Sequence, residues 1–342
     1  MNTVAASCLM FLCLVAQVSA QESVQVIEGE PECVACRIER YLVAELNDSA
    51  FPGVIRIART AVTVTTDGRF LLGPADLPNP HVANARGEIV AAIGRGGEGP
   101  GEYRLVTAAL DYGGGFLIYD GRLRRVTRLN RALEFQRVEA FPPIGGARPV
   151  IAYDNGNYVV NGTYSLSGAA SKALHLVSPD GKVLRSFGPE LSRNGAAIRL
   201  VARSRDGTVL VARYTDYRIE RWDTAGRLLR VYKRDASWFP TRAEEDIEQD
   251  GYLITAIHED RDGMLWVHMA DYDAHPNPGV ARMPTGKSII EVLDLENARL
   301  VAAARGDFVG GDVVGAPYQW HYYETTTGEP RLRIWGFRLG RD

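Results

Sequence analysis

The sequence predicts an all-β protein, a single six-bladed β-propeller of four-stranded antiparallel blades. Three observations carry that expectation. Tight turns of two kinds alternate along the chain, short β-branched and apolar runs lie between them, and helical periodicity is almost absent. The first kind comprises Thr66-Asp-Gly-Arg-Phe70, Asp111-Tyr-Gly-Gly-Gly-Phe116, Asp154-Asn-Gly-Asn-Tyr158, Arg205-Asp-Gly-Thr-Val209 and Arg261-Asp-Gly-Met-Leu265. These recur at intervals of roughly 43 to 56 residues, close to a propeller blade of about 40–45 with insertions in the longer units. The second kind includes Ala85-Arg-Gly-Glu-Ile89, Pro179-Asp-Gly-Lys-Val183 and Thr224-Ala-Gly-Arg-Leu228, and falls between members of the first. Gly, Asn and Asp accept the positive φ that a primed two-residue hairpin turn demands, so both kinds read as hairpins.

The clearest unit is Gly94 to Phe141, a glycine-rich loop followed by the runs Leu105–Leu110, Phe116–Asp120, Arg124–Leu129 and Leu133–Phe141. Such a unit cannot bury both faces alone, so copies must stack against it. Turn by turn the chain yields six units, and the last, ending in Arg331–Leu339, is one strand short. Arg37–Leu46 has strand composition and precedes the first full inner strand. It is expected to complete the last blade and close the ring, which removes open sheet edges. One helical pattern occurs, the capping box Thr241-Arg-Ala-Glu244, which would open a short helix to Glu248; a polar surface loop accounts for it as well.

Composition narrows the partners. A net charge of -3 offers no basic footprint for nucleic acid. Val4–Val15 is a short apolar run ahead of Val18-Ser-Ala20, which reads as a signal peptide over residues 1–20 although the stretch before it lacks Lys and Arg. The expected location is therefore periplasmic or extracellular, with no transmembrane segment after cleavage, because no later run is long and apolar enough. Residues 21–36 form an N-terminal segment, and 37–342 the propeller. Cys33 and Cys36 remain after cleavage. In an exported chain a Cys-Val-Ala-Cys pair most simply closes a local disulfide. A redox pair would want a βαβ setting, and a zinc site further ligands.

Cys33-Val-Ala-Cys-Arg-Ile38, the Asp67-Gly-Arg hairpin and Gly94-Arg-Gly-Gly-Glu-Gly-Pro-Gly-Glu-Tyr103 together resemble exported bacterial six-bladed propellers related to NHL-repeat proteins. The resemblance covers essentially all of the mature chain, and its most specific part is the Gly-Pro-Gly-Glu-aromatic element. It implies fold and export; it carries over no catalytic residue, and the catalytic residues are unknown from the sequence.

The motifs that could carry chemistry are few. Gly94, Gly96 and Gly99 match G-x-G-x-x-G, but a dinucleotide site needs that loop to open a helix, and Pro100-Gly101 leads into a strand. Their expected role is a sharp backbone bend between blades, with Glu102 and Tyr103 as anchors. His268, Asp271, Asp273 and His275 form the densest set of metal-ligand types and could hold a divalent cation; solvated loop charges are the commoner explanation. No other cofactor is expected.

Connection length is the strongest functional signal. First-to-second and third-to-fourth strand turns share one face of a propeller, and the remaining connections share the other. Nearly all the long ones, among them Gly162–Lys172, Tyr232–Gly251 and Met269–Lys287, belong to that second face. Long loops on a rigid scaffold are where binding concentrates. Arg95, Tyr103, Tyr164, Tyr214, Trp238 and Tyr272 are the candidate ligand-binding residues there. The first reading is a binding or scaffold module for a protein, a glycan or a small polar ligand. The alternative is a metal-dependent enzyme of the lactonase or lyase kind, which requires Asp, Glu, Asn or His to converge on the axis at the long-loop face. Asp154, Asp206 and His258 are candidates for that role, although the first two fit turns better.

Overall fold

The computed structural model describes residues 24–55, 60–74, 77–163, 172–190, 199–239, 251–273, 284–307, 311–312 and 318–341. Among them six antiparallel sheets follow one another around an axis. Blades 1 to 5 span residues 60–92, 106–140, 145–190, 200–234 and 251–306. Blade 6 takes three strands from residues 311–341, and its fourth, outermost strand is Cys36–Asn47 from the other end of the chain. That strand runs antiparallel to Pro330–Arg341, with Ile38 opposite Leu339 and Leu46 opposite Leu332. The ring is closed as the strand count requires. The predicted signal peptide and the predicted helix at 241–248 lie outside the described residues.

Burial explains why the blades need one another. The second strands Phe70–Pro74, Gly115–Asp120 and Val209–Ala212 are buried at every position. A strand apolar on both faces must be covered on both. Accordingly, apolar side chains collect into six clusters, each between two neighbouring blades. Leu46, Leu332 and Ile334 of blade 6 meet Val62, Phe70 and Leu72 of blade 1, so the seam between first and last blades is packed like the other five.

The hairpins differ in one detail from the primed turns expected. The Thr65 amide donates to the Arg69 carbonyl at 2.9 Å and the Gly68 amide to the Thr65 carbonyl at 3.0 Å. The turns opening at Asn84, Ser178, Asp223 and Asp260 repeat this pair of bonds. Only one residue is left-handed, Gly68 with φ of 80°. This is a three-residue loop, a type I turn followed by a bulge, and not a two-residue primed turn. The opening residue stabilises it further: Asn84 Oδ1 accepts from Glu88 N at 3.1 Å, and Asp260 Oδ1 from Met264 N at 2.9 Å. That favours Thr, Asn, Ser or Asp at the opening position, although Tyr153 opens a turn with the same pair of bonds.

The N-terminal segment does more than supply one strand. Val24–Ile27 pairs in parallel with the outer strand of blade 4, Val24 opposite Val231 and Ile27 opposite Arg234. The chain then crosses blade 5, where the Glu32 and Cys33 amides donate to the Leu300 and Val301 carbonyls at 2.9 and 3.3 Å. Only afterwards does it enter blade 6, so one strap joins the outer edges of three consecutive blades. A Cys33–Cys36 disulfide sits at the last crossing, packed with Trp266, Val301 and Phe337 between blades 5 and 6.

A buried ionic group fastens the strap. Arg234 donates to the Ile27 and Gly29 carbonyls at 3.3 and 2.9 Å and pairs with Glu291 of blade 5 at 3.3 Å. Glu291 also accepts from the Tyr217 hydroxyl at 2.6 Å. Arg234 and Glu291 expose only 5% and 2% of their side chains, so each charge depends on the other for solvation. Arg234→Ala would strand the Glu291 carboxylate and free the strap. It is expected to lower the free energy of unfolding by about 3 kcal/mol in a urea titration and to speed proteolysis ahead of residue 36.

Candidate functional site

At the long-loop face, the Gly94–Tyr103 element is an anchor between blades 1 and 2. Arg95–Gly96 and Glu102–Tyr103 pair as a short parallel ladder. Gly94 takes φ of 65°, and a Cβ there would run into the Gly101 carbonyl, so only glycine fits. Arg125 reaches up from blade 2 and donates to the Glu98, Gly99 and Glu102 carbonyls at 2.6, 2.8 and 2.6 Å. Glu102 takes the Gly99 amide at 2.8 Å and the Arg95 Nε at 2.7 Å, and these contacts hold its carboxyl below the usual range. No helix follows, so no dinucleotide cradle forms here.

Tyr103 is fully buried in the cluster between blades 1 and 2, beside Leu71, Val106 and Phe116. Burial pushes its hydroxyl up to about 12. It is placed as a packing residue, whereas Arg95 and Glu98 of this loop face solvent.

Three of the other aromatic candidates, Trp238, Tyr214 and Tyr272, stand at one end of blades 4 and 5. Trp238, half-buried on the connection leaving blade 4, packs edge-on to Tyr252 with ring centroids 5.5 Å apart. The Arg305 guanidinium lies 5.6 Å from the Trp238 ring centre. Tyr214 offers its carbonyl to the Ile254 amide at 3.0 Å, tying a blade 4 loop to the inner strand of blade 5. Tyr272 ends the second strand of blade 5 opposite Gly251, and is half-buried. Trp238, Tyr252, Tyr214 and Tyr272 thus stand at the long-loop end of blades 4 and 5. Tyr252 and Arg305 were not singled out in the sequence; only the pairing register brings them to Trp238. Tyr164 lies outside the described residues.

The ligand-type residues of blade 5 are dispersed. His268 is 3% exposed, hydrogen-bonded through Nδ1 to Gln319 of blade 6 at 3.0 Å, and edge-on to Phe337 at 5.3 Å. Asp271 sits at the end of the same strand, Asp273 is exposed beyond it, and His275 lies outside the described residues. Among the described residues no group of three His, Cys, Asp or Glu side chains is placed to hold a metal ion.

The inner-strand acids stand at the opposite, tight-turn end, where they stitch neighbouring blades. Asp111 accepts the Thr66 amide of blade 1 at 2.6 Å, Asp154 the Gly113 amide of blade 2 at 3.1 Å, and Glu259 the Arg205 amide of blade 4 at 2.9 Å. Asp206 bonds within its own turn to the Thr208 amide at 2.9 Å. His258 lines a cavity of about 210 Å³ at this end, with Thr63, Thr66, Asp111, Ala152 and Arg203.

Comparison with known proteins finds no matching family model and no match among curated proteins. Solved structures do match. A putative exported protein from Bacteroides fragilis superposes with a TM-score of 0.61 at 11% identity, covering 93% of this chain and 100% of its own. A DUF4221 member from Bacteroides vulgatus gives 0.59 at 11% identity over 89% and 99%. A virginiamycin B lyase from Staphylococcus aureus gives 0.49 at 14% identity over 87% and 99%. The likeness to the two Bacteroides proteins is one of fold. No helix among the described residues is long and apolar enough to cross a membrane.

Two imidazoles of blade 5, enclosed His268 and half-buried His258, set an acid limit. Unfolded, both titrate near 6.5. Folded, burial drives His268 down to about 3 and His258 to about 4. Below pH 6.5 the unfolded chain therefore binds more protons, and stability falls with falling pH until the folded values are reached. The slope is up to roughly 1.4 kcal/mol per pH unit for each imidazole. His268→Gln, titrated with urea at several pH values, is expected to lose stability more shallowly than wild type between pH 6.5 and 4 and to match its slope above pH 7.

Proposed function

We propose that this is an exported binding module whose ligand docks on the long-loop face over blades 4 and 5. One observation carries the reading. Trp238, a large half-buried aromatic on a connecting loop, is braced by Tyr252 and capped by Arg305. Aromatic surface beside a single well-placed charge suits a ligand with both an apolar face and polar groups. The scaffold beneath is rigid, since packed seams hold the inner strands of both blades. Rigid support under a polar and aromatic shelf lowers the ordering cost of binding.

An oligosaccharide is the chemical class that fits such a shelf, and a printed array of soluble oligosaccharides is the probe. Wild type is expected to be retained on a subset of the array. Trp238→Ala should weaken that retention by roughly thirtyfold, the worth of a central aromatic at about 2 kcal/mol, with little change in melting temperature. Retention undiminished in the variant, or no retention of wild type on any oligosaccharide, would remove this reading.

A further inference from the structure

The tight-turn end of the axis holds a cavity that the long-loop reading does not use. Five blades wall it. Thr63 and Thr66 come from blade 1, Asp111 from blade 2, Ala152 from blade 3, Arg203 from blade 4 and His258 from blade 5, with Val64, Leu110, Val150, Ile151 and Ile257 between them. Its volume of about 210 Å³ equals roughly seven waters at about 30 Å³ each, room for a small organic molecule.

The wall carries two permanent charges, and they are differently engaged. Asp111 is already paired: Oδ2 accepts the Thr66 amide and hydroxyl at 2.6 and 3.1 Å, and Oδ1 stands 2.7 Å from the Arg131 guanidinium. Its negative charge is already balanced within blade 2. Arg203 donates once among the described residues, to the Ala152 carbonyl at 3.1 Å, while its guanidinium lies 5.0 Å over the Tyr153 ring. A guanidinium has five N–H groups, so most of its fork remains available. His258 makes no hydrogen bond to any described residue, and burial keeps the ring neutral, with one N–H to offer. The hydroxyl protons are taken: Thr63 donates to the Ala109 carbonyl at 2.5 Å and Thr66 to Asp111. The donors left over are cationic or neutral, and the one carboxylate on the wall is neutralised.

We propose that this end of the channel binds a small carboxylate-bearing molecule, with Arg203 holding the carboxylate and His258 donating a hydrogen bond to it. A planar guanidinium matches a carboxylate in a paired, fork-to-fork contact, a geometry no neutral or cationic ligand can use. The apolar strips from Val64, Leu110, Val150 and Ile257 suit a short carbon chain more than a bare inorganic anion.

Lactate and succinate are the probes, tested by thermal unfolding against sodium chloride at equal ionic strength. Binding to the folded state alone should raise the melting temperature by several degrees once the probe is well above its Kd. Arg203→Gln should abolish the rise, and Arg205→Gln, on the neighbouring groove between the blade 4 and blade 5 turns, should keep it. A rise no larger than chloride gives, or one that survives in Arg203→Gln, overturns the proposal. Should Arg203→Gln fail to fold, saturation-transfer NMR of lactate on wild type and His258→Asn decides: transfer on wild type that is lost in the variant supports the site, and transfer absent from wild type or equal in both removes it.

Discussion

No blade of this protein can bury its own faces, and that constraint governs the rest of the structure. The second strand of blade 2, Gly115–Asp120, is buried along its whole length, so one neighbour must cover each side. In a row of sheets the end blades would lack a neighbour; in a ring none does. Closure is therefore the step on which the packing of every seam depends, and the chain secures it at several levels. The Cys36–Asn47 strand pairs with the last strand, its side chains Ala44 and Leu46 enter the blade 6 to blade 1 seam, and Asn47 donates to the Gly87 carbonyl of blade 1 at 3.2 Å. Gly87 must be glycine, because a Cβ at its φ of 85° would collide with the Glu45 carbonyl of that closing strand.

The strap over blades 4 to 6 extends the same logic to the outside of the ring. Outer strands have one free edge, and Val24–Ile27 covers the edge of blade 4. A buried Arg–Glu pair is costly to desolvate and adds little net stability over apolar residues of the same shape. Its value here is positional: Arg234 bonds the strap, the Asp235 carbonyl just beyond its own strand and blade 5 at once, so the strap has one seating in which all three are satisfied.

What could be read from the sequence follows the range of the interaction. Hairpins rest on residues three or four apart, so Asp-Gly and Asn-Gly steps located them, and only the turn type differed. The closing strand was legible because the count of strands ended one short. Val24–Ile27 was not, because a parallel pairing to Val231–Arg234 leaves no turn and no fixed spacing. Side-chain roles were harder still. Tyr103 and His268 are polar residues on or near long loops, yet both are enclosed between blades, Tyr103 by Leu71 and Phe116, His268 by Gln319 and Phe337. Whether an aromatic faces ligand or core depends on which neighbouring strand covers it, and that is a property of the assembled ring. Trp238, Tyr252 and Arg305 meet from one connection and two strand ends that no local pattern relates.

Contacts between blades hold the ring at both of its ends. At the tight-turn end, Asp111, Asp154 and Glu259 accept amides from the preceding blade, so replacing one unsettles a seam between two blades. Of the side chains that wall the cavity there, Arg203 and His258 take no part in this stitching of amides. The long-loop end is stitched as well: Arg125 clamps three carbonyls of Gly94–Tyr103, and the Tyr214 carbonyl of blade 4 accepts the Ile254 amide of blade 5. Both ends are therefore tied to the seams that run between them, and the second strands, buried at every position, carry the closure of the ring.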